Sequence, residues 1–178
     1  MAPTHTDSSR SVPQVPLSLR IAAVVEHISR GFSLAGGLLM LALIVMSLIS
    51  IIGRKLYSSP IQGDMELIEL GSAIAIAAFL PLAEIRGLNI KADAFTMWAS
   101  ASFKRLLDIL GHVLLFLMAL LLIWRTYVQM GDYYEYGDNT VLLAIPMWIP
   151  LLFILPSLLL LAVCALTQVF VLLQRGAE

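Results

Sequence analysis

The chain has 178 residues, 60% of them hydrophobic and 13% charged, with a formal net charge of −1 and a mean hydropathy of +0.91. About a quarter of the residues in globular domains are charged, so this composition excludes an ordinary water-soluble fold, and the charge balance does not point to nucleic acid. The only cysteine, Cys164, excludes an internal disulfide and a cysteine-type metal cluster.

Residues 1–16 are polar, rich in Ser, Thr and Pro, and too short to fold alone, which predicts a disordered tail. Leu17, Ile21, Val24, Val25 and Ile28 then recur at helical spacing with Arg20, His27 and Arg30 between them. Such a segment either lies on the inner leaflet or extends the first membrane helix inward. The first membrane-length run covers about 32–52 and ends at Gly53-Arg54-Lys55. Its roughly 21 residues, at about 1.5 Å each, span a hydrocarbon layer of about 30 Å. The run exceeds the apolar core of a signal peptide and no small-x-small pattern follows it, so it reads as a retained anchor.

A second run covers 65–85, uncharged from Leu70 to Ala83, with Glu66, Glu69 and Glu84 near its ends. Phe95, Trp98 and Phe103, followed by Lys104-Arg105, suggest a second interfacial segment. The third run covers 109–128, free of charge up to Arg125, and the fourth covers 148–173, followed by a short tail at 174–178. In hydrocarbon each backbone N–H and C=O needs a partner within its own segment, so these runs are helices. The fold class expected is an all-α integral membrane protein with a four-helix membrane domain over 17–173.

Lys and Arg set the orientation. Arg10, Arg20 and Arg30 precede the first run; Arg86, Lys91, Lys104 and Arg105 lie between the second and third; Arg175 follows the fourth. The other two loops hold Arg54, Lys55 and Arg125 against Asp64, Glu66 and Glu69 in one, and Asp132, Glu135 and Asp138 in the other. The positive-inside rule therefore places both termini in the cytoplasm. Trp124, Tyr127, Tyr133, Tyr134, Tyr136 and Trp148 bracket the third loop, as amphipathic rings do at a headgroup layer.

Glu66 and Glu69 are three apart and share a helix face. Two readings apply: acids in a first turn that complement the macrodipole and stay wet, or an ion pair, with Arg54 as the nearest candidate, that fixes the loop or faces another subunit. His112 follows Asp108 by four residues, a spacing suited to a structural pair. Gly71, Ala75 and Ala78 on the second helix, and Ser33 with Gly37 on the first, offer faces for close helix approach. Pro146, Pro150 and Pro156 surround the start of the fourth helix beside Trp148 and remove backbone donors there.

A transporter acting alone usually combines internal repeats, broken helices and polar groups at the midplane. The middles of the first, third and fourth runs carry no charge, and no P-loop, Ser-His-Asp set or histidine ligand spacing is present. The residues point to a helper or scaffold, with no catalytic residues and no cofactor.

Gly53-Arg54-Lys55, Ser59-Pro60-Ile61-Gln62-Gly63, Glu66-Leu67 with Glu69-Leu70, then Arg86-Gly87-Leu88-Asn89-Ile90 and Asp93, are followed by Gly137-Asp138-Asn139-Thr140 and Leu143-Ala144-Ile145-Pro146-Met147-Trp148. In this order, between four apolar runs, they resemble the small membrane subunit of tripartite ATP-independent periplasmic (TRAP) transporters, the DctQ-like family, over roughly 17–173. Where family members often carry His-Ile-x-x-Asp, this chain has Asn89-Ile90-Lys91-Ala92-Asp93. Asn keeps a donor and an acceptor but cannot titrate.

The resemblance implies an inner-membrane protein that pairs with a large many-helix permease and a periplasmic substrate-binding protein. The permease takes up a small organic anion, commonly a carboxylate, on a sodium gradient. The small subunit would brace the stationary part of the permease in the lipid bilayer. Its outer surface around Glu66, Glu69, Asp132, Tyr134 and Asp138 would help dock the binding protein by electrostatic steering. Two competing readings are a self-assembling small channel or transporter, for which Ser33, Ser47 and Ser50 form a thin polar stripe, and a redox subunit ligating through His27 or His112.

Overall fold

A computed structural model describes residues 17–57, 61–87 and 101–174. Asn89, Asp93, Phe95, Trp98, the predicted tail 1–16 and residues 175–178 of the predicted tail 174–178 lie outside the described residues. Four helices follow one another: α1 (Leu17–Tyr57), α2 (Asp64–Ile85), α3 (Ala101–Tyr136) and α4 (Trp148–Gln174). Each contains a stretch long and apolar enough to cross a membrane, and among the described residues no strand is present, only an isolated bridge between Asn139 and Pro146.

The helices are longer than the uncharged runs. α1 has 41 residues and so extends about 60 Å at about 1.5 Å per residue, twice a hydrocarbon thickness. Its first turns are the amphipathic segment around Val24 and Val25, continuous with the membrane run. Of the two arrangements open to that segment, the helix takes the one that extends the first membrane helix. α2 and α4 continue through Pro81 and Pro156.

α1, α2 and α4 pack on one another, and α3 leans chiefly on α4. Lipid tails are as apolar as leucine, so close helix contact in a membrane depends on van der Waals fit between small side chains. The α1–α2 contact shows this at Gly36, where an added Cβ would lie 2.9 Å from Ala78 Cβ and 3.0 Å from the Ala75 carbonyl. Seven residues on, Leu43 sits over Gly71, 2.8 Å from the place a Cβ would take. The small face expected on α2, Gly71, Ala75 and Ala78, is buried. On α1 the close-approach residue is Gly36 and not the Ser33–Gly37 pair, because Gly36 points at the α2 backbone while Gly37 meets only the tip of Phe79 at 3.9 Å.

Ala119 of α3 and Leu158, Leu161 and Ala162 of α4 form the second packing centre, with Leu115, Phe116, Ile123 and Ile154 around it. Outside these seams the helices present large apolar side chains, such as Leu34 at 70% and Leu38 at 69% exposure. In water these faces would be untenable over such lengths; in lipid they are ordinary.

Candidate functional site

The charged side chains of α1 and α2 gather at opposite ends of the helices. From Gly31 to Gly53 in α1, from Leu70 to Ala83 in α2 and throughout α4 no charged residue occurs.

At the end where α2 begins, Gly63 adopts φ 74°, the left-handed region that glycine enters without a Cβ penalty. A Cβ there would also collide with the Leu143 side chain, so the turn into α2 and the loop before α4 pack directly on each other. Asp64 opens the helix. Its Oδ1 accepts the Met65 N–H at 2.9 Å, and its Oδ2 accepts Ser50 Oγ at 2.5 Å and Arg54 Nη2 at 3.4 Å. Arg54 therefore pairs with Asp64, two residues before Glu66 and five before Glu69, the partners expected. The reason is reach: Asp64 is the carboxylate that faces Ser50 and the last turns of α1.

Glu66 lies in the first turn of α2, as the first of the two readings has it, and adds a role that neither reading named. Its Oε1 accepts the Leu142 N–H at 2.7 Å and its Oε2 accepts the Leu143 N–H at 3.0 Å. One carboxylate thus supplies both acceptors for two consecutive amides of the α3–α4 loop, a charge-assisted arrangement. The loop is closed internally as well. Thr140 N–H donates to the Ile145 carbonyl at 2.9 Å, Met147 N–H to the Asp138 carbonyl at 3.0 Å, and Ile149 N–H to the Pro146 carbonyl at 3.1 Å. Thr140 Oγ1 accepts the Ile145 N–H at 3.0 Å. Ala144 stands at φ 52°, an unusual backbone for a residue with a Cβ, and Gly137 at φ 69° ends α3.

Tyr134 and Trp148 stack edge to face, ring centroids 6.0 Å apart at 78°, a geometry the ring quadrupoles favour. It joins the last turn of α3 to the first residue of α4. Asp132, Tyr134 and Asp138 are exposed, Pro146 and Trp148 are half-buried, and Glu69 is exposed one turn into α2. The structure thus brings Glu66, Tyr134, Pro146 and Trp148 into one braced assembly, leaves the side chains of Asp132, Asp138 and Glu69 on its surface, and connects Arg54 to it through Asp64.

At the other end, Glu26 Oε1 accepts Arg30 Nη2 at 2.8 Å and Arg86 Nε at 3.3 Å. Deeper inside, Glu84, 1% exposed, meets His112 Nδ1 at 2.5 Å. His112 was expected to use Asp108; the contact with Glu84 arises because α3 presents the imidazole to α2 while the i, i+4 carboxylate shares α3's own surface. Gln168 of α4 donates to the carbonyls of Ile85 at 2.6 Å and Glu84 at 3.4 Å, satisfying the open C-terminal turn of α2. Ser29 donates to the Val25 carbonyl at 2.8 Å and lies 3.4 Å from Cys164 Sγ.

Sequence reasoning passed over Gln168, counted Asp64 only in the loop charge balance and Ser50 only in a polar stripe, and noted Glu84 without its partner. One signal was available: Glu84, His112 and Gln168 are long polar side chains near the same ends of three otherwise apolar runs, where isolated polar groups are costly.

A family model described as "Tripartite ATP-independent periplasmic transporters, DctQ component" matches residues 43–175, about three quarters of the chain. No curated protein and no solved structure matches it.

Proposed function

Since the chain belongs to the DctQ component family of the tripartite ATP-independent periplasmic transporters, we propose that it is the small permease subunit that holds a large, many-helix permease in place in the bacterial inner membrane. It spans the membrane four times with both termini in the cytoplasm, so that Glu26, Arg30 and Arg86 lie at the inner surface and the Glu66-braced loop at the outer one. The large subunit carries the solute, a small organic anion such as a carboxylate, on a sodium gradient, and a periplasmic binding protein delivers it.

The observation that carries this reading is the separation of the charged ends of α1 and α2 by uncharged helix. A solute path through the chain would need polar groups at mid-depth, whereas the helix middles here offer small residues and aliphatic faces suited to packing. The loop from Asp138 to Met147 supports a docking role because Glu66 and the Tyr134–Trp148 contact hold it in one shape. A preformed surface binds without ordering cost, and the exposed Asp132 and Asp138 beside it favour a partner with basic groups.

Co-expression tests the scaffold role. The large subunit is expected to purify as a stable complex with this chain and to be lost from the membrane fraction, or to aggregate on extraction, when the chain is omitted. A large subunit equally stable in both cases contradicts it.

A further inference from the structure

The four helices expose apolar surface on many sides. One exposed apolar stripe carries a carboxylate. On α2, Met65 at 66%, Ile76 at 56% and Leu80 at 40% exposure lie within a narrow arc of the helix, at intervals that return to the same side. Glu69 is exposed in the middle of that arc, four residues after Met65 and seven before Ile76. The opposite side of α2 is occupied, by Gly71, Ala75 and Ala78 against α1.

The depth of Glu69 follows from the helix. Arg86, paired with Glu26, marks the inner edge of the bilayer in the orientation proposed above. The rise from Glu69 to Ile85 is about 24 Å at about 1.5 Å per residue, against a hydrocarbon thickness of about 30 Å. Any tilt of α2 shortens the vertical distance and puts Glu69 deeper. Its two-methylene stem is too short to lift a carboxylate far along the helix, unlike Arg125 on α3, whose longer stem reaches toward the headgroups. Glu66, one turn nearer the surface, is engaged by Leu142 and Leu143. Among the described residues the carboxylate of Glu69 has no hydrogen bond or ion pair with a side chain or backbone group. Lipid tails cannot solvate it.

The geometry points to the α2 stripe Met65–Glu69–Ile76–Leu80 as the membrane contact for the large permease subunit, whose facing helix supplies an Arg, Lys or other hydrogen-bond donor to Glu69 at that depth and small or apolar residues below it. A protein partner of this chemistry satisfies the carboxylate and buries the aliphatic side chains together. This deepens the scaffold reading and rests on it.

The test uses the intact complex with the large subunit. A photo-cross-linking amino acid is placed singly at Met65, Ile76 or Leu80, with Glu69 unchanged, and at Leu114 and Leu117 on the exposed side of α3 for comparison. The stripe positions are expected to cross-link to the large subunit, and the α3 positions to do so at least about fivefold less, in line with the steep fall of contact chemistry beyond van der Waals range. In parallel, Glu69→Lys is expected to lower recovery of the complex by more than about tenfold, and the similarly shaped Glu69→Gln by less, since truncating or reversing a desolvated charge pair is costly. Cross-links from the stripe only to phospholipid, or only to a second copy of this chain, overturn the assignment, as does full recovery of the Glu69→Lys complex. Should the unsubstituted chain co-purify with the large subunit while the stripe stays unlinked, this contact fails and the scaffold reading stands; should no complex form at all, both fall.

Discussion

Glu84 and His112 are 28 residues apart in sequence and 2.5 Å apart in space, and through that contact α2 holds α3, whose main packing is against α4. The carboxylate is almost wholly buried and Gln168 closes the backbone beside it. A buried carboxyl group that loses a hydrogen-bond partner costs more than the net worth of that bond. His112→Ala is therefore expected to destabilise the purified protein by about 2 kcal/mol or more, while the double change Glu84→Ala with His112→Ala costs less than the sum of the single ones. Thermal unfolding in detergent, followed by the loss of helical signal, measures this; additive effects would show that the two groups act independently.

Gly36 sets the α1–α2 distance. Gly36→Ala places a methyl group 2.9 Å from Ala78 Cβ, closer than real Cβ contacts allow, so the helices must part and the protein should lose about 1–3 kcal/mol, the usual cost of overpacking. Ala78→Gly in the same chain removes one of the two obstructing atoms and is expected to restore part of the loss; the Ala75 carbonyl at 3.0 Å limits the rescue. Equal unfolding midpoints for the wild-type chain and Gly36→Ala would refute the close approach.

Glu66→Ala removes both acceptors from Leu142 and Leu143, and Glu66→Gln leaves one carbonyl oxygen in their place. Amide hydrogen exchange at Leu142 and Leu143 should accelerate strongly in the first variant and less in the second, with the Ala119–Leu158 packing centre unaffected. Unchanged exchange at both amides would mean that the loop holds its shape without Glu66.

Charge reversal at Asp132 and Asp138 should weaken uptake and reduce its dependence on ionic strength, because steering by exposed charges is screened within about 10 Å at 0.1 M salt. The membrane complex should still assemble, since both side chains are exposed and lie apart from the helix seams. Uptake indifferent to both reversals would remove the docking role from this surface.

Much of the fold was legible because lipid imposes a simple rule: an apolar run of about 20 residues must be a helix. The small-residue face of α2 was legible for the same reason, since only side chains of that size permit close approach. What the chain could not reveal alone was which groups meet. Arg54 finds Asp64 and not Glu66, because the partner depends on the turn at Gly63, where a positive φ and the packed Leu143 fix how α2 starts. Glu66 reads as a wet first-turn acid until the loop at Leu142, 76 residues away, is folded onto it. His112 has a plausible neighbour in Asp108 by helical spacing, yet the packing of α3 turns it to Glu84. Each of these depends on tertiary geometry, which periodicity does not encode.

The central claim is that this subunit supports transport without conducting solute. Proteoliposomes containing the chain alone, the large subunit alone, or both, each supplied with the loaded binding protein and an inward sodium gradient, test it most directly. Accumulation of the organic anion is expected only with both subunits present; accumulation by the chain on its own would contradict the account.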